Sequence, residues 1–252
     1  MAKGIIVYAP KERLHVEEAK KLAKDKKIKL DSKRKLIAKF NPKSPISEQF
    51  RTIRTNIQFS AVDEEVRSIM VTSSGPGEGK STTAANLAIV FAQQGKTVLL
   101  VDADLRKPTV HYTFNLPNTF GMTNVLTKRM DLKEAVVETD EKNLFVLSSG
   151  PIPPNPAELL GSKSMTEVFE RFYEEFDIIV MDTPPVLAVT DAQILSNKCD
   201  GTILVVSSGK TGTEQAIKAK ELLNAASCNL LGVVLNNKKM QKNSQYYYYY
   251  GN

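Results

Sequence analysis

The sequence predicts an α/β fold built on a doubly wound, mostly parallel sheet. From Val66 onward, short apolar segments alternate with segments of helical periodicity, an order typical of that architecture. The apolar segments are continuous rather than interrupted by polar residues, as in strands that helices cover on both faces. A glycine-rich segment joins the first of these strands to the first helix of the series. We therefore expect right-handed crossovers between parallel strands.

Six strands and five helices are predicted. The strand segments are RSIMVTSS, TVLLVDAD, NLFVLSSG, DIIVMDTP, GTILVVSS and LLGVVLNN. Amphipathic helices are predicted at about residues 79–94, 155–175, 190–198 and 213–226. A further helix begins at Ser44-Pro45, because proline suits the first helical position. Its apolar stripe is formed by Ile46, Phe50, Ile53 and Ile57.

Composition divides the chain into an arm, a domain and a tail. Residues 1–43 hold 14 Lys or Arg and 5 Asp or Glu, a net charge of +9, whereas the whole chain has +6. We expect a basic arm over residues 1–27, a linker over 28–43, the α/β domain over 44–237 and a flexible tail over 238–252. The arm suits either a solvated extension or attraction to an anionic surface. Nucleic acid is the less favoured surface, because the arm carries little aromatic interleaving.

Membrane-spanning and secreted proteins are disfavoured classes. No segment reaches the ~18–20 apolar residues that cross a bilayer, and the N-terminus lacks the apolar core of a signal peptide. Cys199 and Cys228 are too few for a disulfide framework and lack metal-ligand spacing. We therefore expect a cytosolic protein with reduced thiols.

The segment SSGPGEGKSTT has the spacing of a P-loop, with Ser74 in place of the usual first glycine. Its glycines let backbone N–H groups converge on phosphate oxygens at a helix N-terminus. Lys80 is expected to reach the β and γ phosphates, and the Ser81 hydroxyl to bind magnesium. The motif follows a predicted strand and opens a predicted helix, which is the context that a chance match lacks.

Three aspartates are expected at one edge of the sheet. Asp102 and Asp104 follow one apolar strand, and Asp182 ends another. Ligands of open α/β sheets bind at the carboxyl ends of the strands, where an aspartate needs a cation or hydrogen-bond donors. The alternative for the first two is a loop-capping role. After the last strand, Asn236 is expected either to cap a turn or to contact the adenine edge of a nucleotide.

These motifs resemble those of one protein family. SSGPGEGKST, LLVDADLRKP and IIVMDTPP look like the Walker A, Walker A′ and Walker B motifs of the bacterial tyrosine kinases of capsule and exopolysaccharide synthesis. SEQFRTIRTNI and the C-terminal tyrosines match the same family, so the resemblance covers about residues 40–252. It implies a P-loop NTPase with deviant Walker motifs. Cell-division and plasmid-partition ATPases share this fold, but they carry a signature lysine where this chain has Gly75.

The resemblance implies a protein-tyrosine kinase that uses ATP and Mg²⁺. The residues implied in catalysis are Lys80, Asp102, Asp104 and Asp182. The residues implied in nucleotide binding are Gly75, Gly77, Glu78, Gly79, Lys80, Ser81, Thr82 and Asn236. The implied magnesium ligands are Ser81, Asp104 and Asp182. Asp102 would accept the proton of an incoming tyrosine or orient its hydroxyl, and the sequence does not assign the aspartates to individual tasks.

The resemblance also gives the tyrosine tail a role. The implied phosphate acceptors are Tyr246, Tyr247, Tyr248, Tyr249 and Tyr250. Members of the family assemble as rings and phosphorylate one another's tails, and the helix that carries Glu48, Arg51 and Arg54 resembles their subunit contact. The alternative for that helix is a set of salt bridges within one subunit. Without the resemblance, the tyrosines are equally consistent with a disordered tail.

Partners follow from the same resemblance. It implies protein tyrosine substrates, a cognate tyrosine phosphatase, and a transmembrane activator of polysaccharide synthesis whose cytosolic tail recruits the kinase to the inner face of the membrane. The arm over residues 1–27 is either such an activating segment joined to the kinase or an extension without special role. Two competing functions are a switch ATPase of the partition type and a scaffold that uses nucleotide only to hold a ring together.

Overall fold

The structure, a computed structural model, describes residues 36–60 and 65–238. These residues form one seven-stranded sheet with helices on both faces. The strands are β1 (Ser68–Ser73), β2 (Val98–Asp102), β3 (Val136–Glu138), β4 (Leu144–Leu147), β5 (Ile178–Asp182), β6 (Gly201–Ser207) and β7 (Leu230–Asn236). Ten helices lie within the described ranges: α1 (Ile37–Phe40), α2 (Pro45–Ser60), α3 (Lys80–Ala92), α4 (Val110–Phe114), α5 (Met122–Leu126), α6 (Leu132–Ala135), α7 (Pro156–Leu160), α8 (Lys163–Glu175), α9 (Asp191–Ser196) and α10 (Thr213–Ala225).

The strand order is β3-β4-β2-β5-β1-β6-β7, and every neighbouring pair is parallel except β3 with β4. The doubly wound, mostly parallel sheet predicted from sequence is therefore confirmed. Successive residues of each strand point to opposite faces. Met70 belongs to the core on the face that carries α5, α8 and α10, whereas its neighbours Ile69 and Val71 belong to the core on the face that carries α1, α2 and α3. The inner strands are buried on both faces, as their continuous apolar sequences predicted.

Helix α3 differs from the amphipathic pattern expected of it, because 11 of its 13 residues are buried. It lies between the sheet on one side and α1 and α2 on the other. The apolar stripe of α2 covers part of the outer side of α3. Ile57 is buried and Phe50 and Ile53 pack on the same core, but Ile46 is 47% exposed.

The described part of the predicted linker over residues 28–43 packs against the domain. Residues 37–40 form α1, in which Ala38 is fully buried and Leu36 just before it is 4% exposed. The Ala38 N–H donates to Asn86 Oδ1 at 2.9 Å, and the Asn86 amide donates to the Thr82 carbonyl at 2.8 Å. A buried polar side chain on α3 thus fastens this segment to the domain, a contact that composition cannot indicate.

Three smaller differences concern the outer elements. β3 was not predicted, because it has three residues and follows α6 without a turn. The helix predicted over 155–175 is two helices, because the Ser162 hydroxyl accepts the Met165 N–H at 3.3 Å and starts a new helix at α8. β7 is an edge strand on which Val233 and Leu235 are 56% and 50% exposed, although its sequence resembles a fully buried strand.

Candidate active site

The P-loop lies between the end of β1 and the start of α3. Gly77 and Gly79 have φ values of +70° and +99°, a backbone region that glycine adopts without the strain other residues would suffer. A Cβ on Gly79 would also clash with the side chain of Asn236. Within the described residues, the N–H groups of Gly77, Gly79 and Lys80 donate to no acceptor. The loop therefore has the free donors that phosphate oxygens require.

Lys80 lies in a buried cluster of charge. Its Nζ is 3.0 Å from Asp104 Oδ2, 3.3 Å from Asp182 Oδ1 and 3.2 Å from Ser81 Oγ. Burial by itself lowers the pKa of Lys80, but the charges of Asp182 and Asp104 outweigh it and raise that pKa. Burial raises the pKa of Asp182, although the Lys80 charge opposes the shift. The sequence prediction that these side chains converge at one edge is borne out by their positions.

Asp102 lies opposite Asp182 in the β2–β5 register, so the two carboxyl groups belong to one row of the sheet. Asp102 Oδ2 accepts the N–H groups of Thr109 at 3.0 Å and Val110 at 2.9 Å, at the start of α4. Its other oxygen, Oδ1, is buried and has no partner among the described residues. Burial, reinforced by the Asp182 charge, raises the pKa of Asp102 to about 8. This carboxyl is therefore a stronger base than an ordinary aspartate.

The donor set fits a magnesium ion together with a nucleotide. Ser81, Asp104 and Asp182 present hard oxygen ligands around Lys80, and the buried Asp182 Oδ2 has no partner in the described part of the chain. Within that part, no group of three or more His, Cys, Asp or Glu side chains forms a metal cage. Mg²⁺ does not require one, because it usually keeps several waters and binds one or two carboxylates plus phosphates.

The remaining P-loop residues, Glu78, Gly75 and Thr82, differ in the hydrogen bonds that they form. The Glu78 side chain is 3% exposed and turns towards Thr211, whose hydroxyl donates to Glu78 Oε1 at 2.6 Å. The Glu78 side chain is thus directed at Thr211, and the predicted role of Glu78 in nucleotide binding would depend on its backbone. Gly75 accepts the Ser73 hydroxyl at its carbonyl at 2.8 Å. Thr82 lies in the first turn of α3, where its carbonyl accepts the Asn86 amide.

Asn236 lies at the P-loop, and both polar atoms of its side-chain amide form hydrogen bonds within the protein. Asn236 Nδ2 donates to the Glu78 carbonyl at 2.9 Å, and Asn236 Oδ1 accepts the Asn237 N–H at 2.9 Å. In this structure the contacts correspond to the turn-capping alternative rather than to the adenine contact.

The three charged residues of α2 make contacts within the subunit. Glu48 and Arg51 form an ion pair one helical turn apart. Arg54 Nη1 donates to the Val90 carbonyl in the last turn of α3 at 2.7 Å. Burial, and after it the charge of Arg51, lowers the pKa of Arg54. The subunit contact implied for this helix remains a prediction.

Four residues next to the site have no predicted role. Arg106 follows the strand segment LLVDAD, and it pairs with the fully buried Asp191 through Nε and Nη2, both at 2.9 Å. Lys210 and Thr211 hold the P-loop from outside. Both follow β6 directly, so their position at the carboxyl edge was a usable signal.

Two predicted segments lie outside the described residues. They are the tyrosine cluster Tyr246–Tyr250 and the basic arm over residues 1–27. In the part of the chain that the structure covers, no helix has the length and hydropathy that crossing a bilayer requires.

Comparisons with known proteins agree with the geometry. The AAA domain family matches residues 66–225. Tyrosine-protein kinase YwqD of Bacillus subtilis is 61% identical over 203 residues, covering 81% of this chain and 86% of the relative. Tyrosine-protein kinase CpsD of Streptococcus agalactiae serotype III is 42% identical over 190 residues, covering 75% of this chain and 81% of the relative.

A solved structure extends the likeness to three dimensions. The crystal structure of the chimerical protein CapA2B2 superposes with a TM-score of 0.80 at 45% identity, covering 82% of this chain and 91% of that one. The family expected from the motifs is confirmed by these matches. The chain belongs to the bacterial tyrosine-protein kinases of capsule synthesis and is itself a protein-tyrosine kinase.

Proposed function

We propose that this kinase transfers the γ-phosphoryl group of ATP to its own C-terminal tyrosines and thereby regulates the synthesis and export of capsular or extracellular polysaccharide. One observation carries the proposal. Lys80 and three aspartates converge at the edge of the sheet where the last strand also ends, against the P-loop. The tail that bears Tyr246–Tyr250 follows that strand by a few residues.

The nucleotide residues have distinct tasks in this proposal. The free N–H groups of the loop and the Lys80 ammonium bind the β and γ phosphates. Ser81, Asp104 and Asp182 are the residues that would hold Mg²⁺, which neutralises charge on the phosphates when bound. Positioning and charge compensation are the main contributions a protein makes to phosphoryl transfer.

Asp102 is the proposed partner of the incoming tyrosine hydroxyl, as proton acceptor or as the group that orients it. Its Oδ1 is without a partner in the described residues, so the ionised form of Asp102 has a free acceptor position. Its pKa of about 8 is closer to that of a phenol, ~10, than an ordinary aspartate's would be. A smaller difference in pKa makes proton transfer in the transition state less costly.

Chain length permits the tail to reach an active site. About ten residues separate Asn236 from Tyr246, and fully extended they span at most ~35 Å. The tail can therefore serve its own site or a neighbour's, and the family resemblance favours a neighbour's site within a ring. Each phosphotyrosine adds roughly −1.5 to −2 charge, so several at a subunit junction would repel one another and favour disassembly.

The proposed partners are those of the family. They are a transmembrane activator that recruits the kinase through a cytosolic tail, protein substrates with accessible tyrosines, and a cognate tyrosine phosphatase. Residues 1–27 are proposed as an activating segment because of their basic charge. Deletion of residues 2–27 should sharply lower autophosphorylation, and unchanged activity would overturn this part of the proposal.

The first experiment is intact mass spectrometry after incubation of the protein with Mg-ATP. A ladder of phosphate additions that maps to Tyr246–Tyr250 and is absent from Lys80→Met supports the kinase proposal. ATP turnover without added mass would contradict the proposed phosphorylation of the tail.

A mixing experiment separates transfer between subunits from transfer within one subunit. Lys80→Met with an intact tail is mixed with a variant that keeps Lys80 but has phenylalanine at all five tail positions. Phosphate on the Lys80→Met chain supports transfer between subunits. An unmodified Lys80→Met chain in a mixture that turns over ATP contradicts it.

A further inference from the structure

Three successive carbonyl groups of the P-loop are held from outside the loop. Lys210 Nζ donates to the Pro76 carbonyl at 2.7 Å and to the Gly77 carbonyl at 3.1 Å. Asn236 Nδ2 donates to the next carbonyl, that of Glu78, at 2.9 Å. The donors come from two elements that are distant from the P-loop in sequence, namely the loop after β6 and the end of β7.

Holding these carbonyls determines where the following N–H groups point. In a planar trans peptide, the C=O and the N–H of the next residue point in opposite directions. Outward-held carbonyls at Pro76, Gly77 and Glu78 therefore turn the next three N–H groups towards the other side of the loop. The Gly77 and Gly79 N–H groups belong to this set and have no acceptor within the described residues.

The glycines of the loop also make room for these donors. A Cβ on Gly77 would lie 2.8 Å from Lys210 Nζ, and a Cβ on Gly79 would overlap the Asn236 amide. Both positions already require positive φ, so glycine serves the backbone conformation and the close approach at once.

Further hydrogen bonds fix the donors themselves. The Thr211 hydroxyl donates to Glu78 Oε1 at 2.6 Å and accepts the Ser207 N–H at 2.8 Å. The Ser208 N–H donates to the Asn236 carbonyl at 2.8 Å, and Asn237 Nδ2 donates to Ser207 Oγ at 3.0 Å. The end of β6, the end of β7 and the P-loop are thus joined in one network.

We propose that Lys210 and Asn236 are positioning residues that hold the P-loop in its phosphate-binding form before nucleotide arrives. The inference rests on the proposed use of ATP and adds residues to that site. A loop that already points its donors inward loses less conformational entropy when phosphate binds, so affinity rises. Neither residue needs to contact the nucleotide for this effect.

The test compares ATP with inorganic tripolyphosphate, a ligand that has the phosphates but no adenine. Calorimetry measures the Kd of both ligands for the parent, Asn236→Ala, Lys210→Met and Lys210→Arg. Lys218→Met is the matched control, because Lys218 is exposed on α10 and forms no hydrogen bond or ion pair with the loop within the described residues. Steady-state kinetics on the same proteins separate the KM for ATP from kcat.

Asn236→Ala should weaken ATP and tripolyphosphate alike, by about tenfold, because the loop loses a hydrogen bond that orients it. Lys210→Met should cost less because Lys210 is exposed, and Lys210→Arg should recover most of the loss. The KM for ATP should rise while kcat stays near the parent value. The Tm without nucleotide should fall by a few degrees at most, as expected for the loss of one hydrogen bond, so the rise in KM at constant kcat is the result that distinguishes positioning from general destabilisation.

Three results would overturn the inference. If Asn236→Ala weakens ATP but not tripolyphosphate, Asn236 contacts adenine instead. If both ligands bind every variant as they bind the parent, the loop needs no external support. If the parent binds neither ligand, the use of ATP fails as well. Failure of the kinase proposal alone looks different: both ligands bind the parent, but no tyrosine is phosphorylated.

Discussion

Two lysine–carboxylate pairs of this kinase have the same length and opposite surroundings. Lys80 Nζ lies 3.0 Å from Asp104, and Lys128 Nζ lies 3.0 Å from Glu167. The side chains of the first pair are 11% and 5% exposed, whereas those of the second are 69% and 59% exposed. The first pair lies at the carboxyl edge of the sheet, and the second joins the end of α5 to α8 on the surface.

The contrast shows that distance does not measure what an ion pair does. An exposed pair exchanges water contacts for a weak attraction and contributes about 0–1 kcal/mol. A buried pair has already lost its water, so each partner depends on the other. The buried pair is therefore a constraint on the site, which becomes costly when one partner is removed.

The largest expected effect is that of Lys80→Met. It leaves Asp104 and Asp182 without their counter-ion, so the nucleotide-free protein should lose about 3 kcal/mol of unfolding free energy. Tyrosine phosphorylation should be lost, because the γ-phosphoryl group has no lysine to bind. Urea unfolding and phosphotyrosine detection measure the two effects.

Lys128→Met is the matched control. It breaks an ion pair of equal length, but its unfolding free energy should change by no more than about 0.5 kcal/mol. Its phosphorylation should match the parent. Equal losses of stability in the two variants would show that burial does not separate the pairs.

The next largest expected effect is the pH dependence of the unfolding free energy that Asp102 causes. Its pKa of about 8 in the fold lies above the ordinary value of 3.8, because burial and the Asp182 charge disfavour ionisation, despite Lys80 nearby. Between these values the folded protein holds a proton that the unfolded chain has released. Stability should therefore fall as pH rises through this window, by up to about 1.4 kcal/mol per pH unit.

Asp102→Asn should flatten this dependence. Unfolding in urea at pH 6, 7 and 8, without nucleotide and with EDTA, gives the slope for each protein. Some slope should remain in the variant, because burial also raises the pKa of Asp182. Glu170→Gln, at an exposed position of α8, controls for removal of a carboxylate. An identical slope in the parent and Asp102→Asn would contradict the prediction.

A smaller difference is expected within α2. Arg54→Met leaves the Val90 carbonyl of α3 without its donor, so unfolding should become easier by about 1 kcal/mol. Arg51→Met breaks only the exposed pair with Glu48 and should cost about 0.3 kcal/mol. Thermal or urea unfolding of the two variants measures the contrast.

The oligomer mass provides a second test of the role of α2. If the helix is the subunit contact, Arg51→Met should lower the oligomer mass in light scattering while leaving monomer stability nearly intact. A change in stability without a change in mass would favour the alternative of contacts within one subunit.

The smallest expected effect is that of salt. Double-mutant cycles for Lys128 with Glu167 should give a coupling of a few tenths of a kcal/mol at 0.1 M salt. This coupling should approach zero at 1 M salt, because the Debye length shortens to ~3 Å. The Lys80 and Asp104 cycle should keep most of its coupling. Equal salt sensitivity would show that solvent screens both pairs.

Local sequence signals predicted the centre of the molecule well. The six main strands, the P-loop and the convergence of Asp102, Asp104 and Asp182 follow from apolar runs that end in acidic residues, since parallel strands share one carboxyl edge. The features it missed depend on contacts between distant residues. Asn86 forms a hydrogen bond with α1, and Lys210 forms hydrogen bonds with two loop carbonyls. None of these side chains belongs to a repeating pattern.

The hydrogen bond from Asn236 to Glu78 joins residues that are 158 positions apart. Chains emerge and begin to fold from the N-terminus during synthesis. The P-loop is therefore made early, but its Glu78 carbonyl has no Asn236 donor until β7 exists. A polypeptide that stops before β7 carries Lys80, Ser81 and all three aspartates, yet lacks one support of its phosphate loop. If Asn236 positions the loop as proposed, completion of the nucleotide site is coupled to completion of the chain, and a product that ends before β7 should bind ATP weakly.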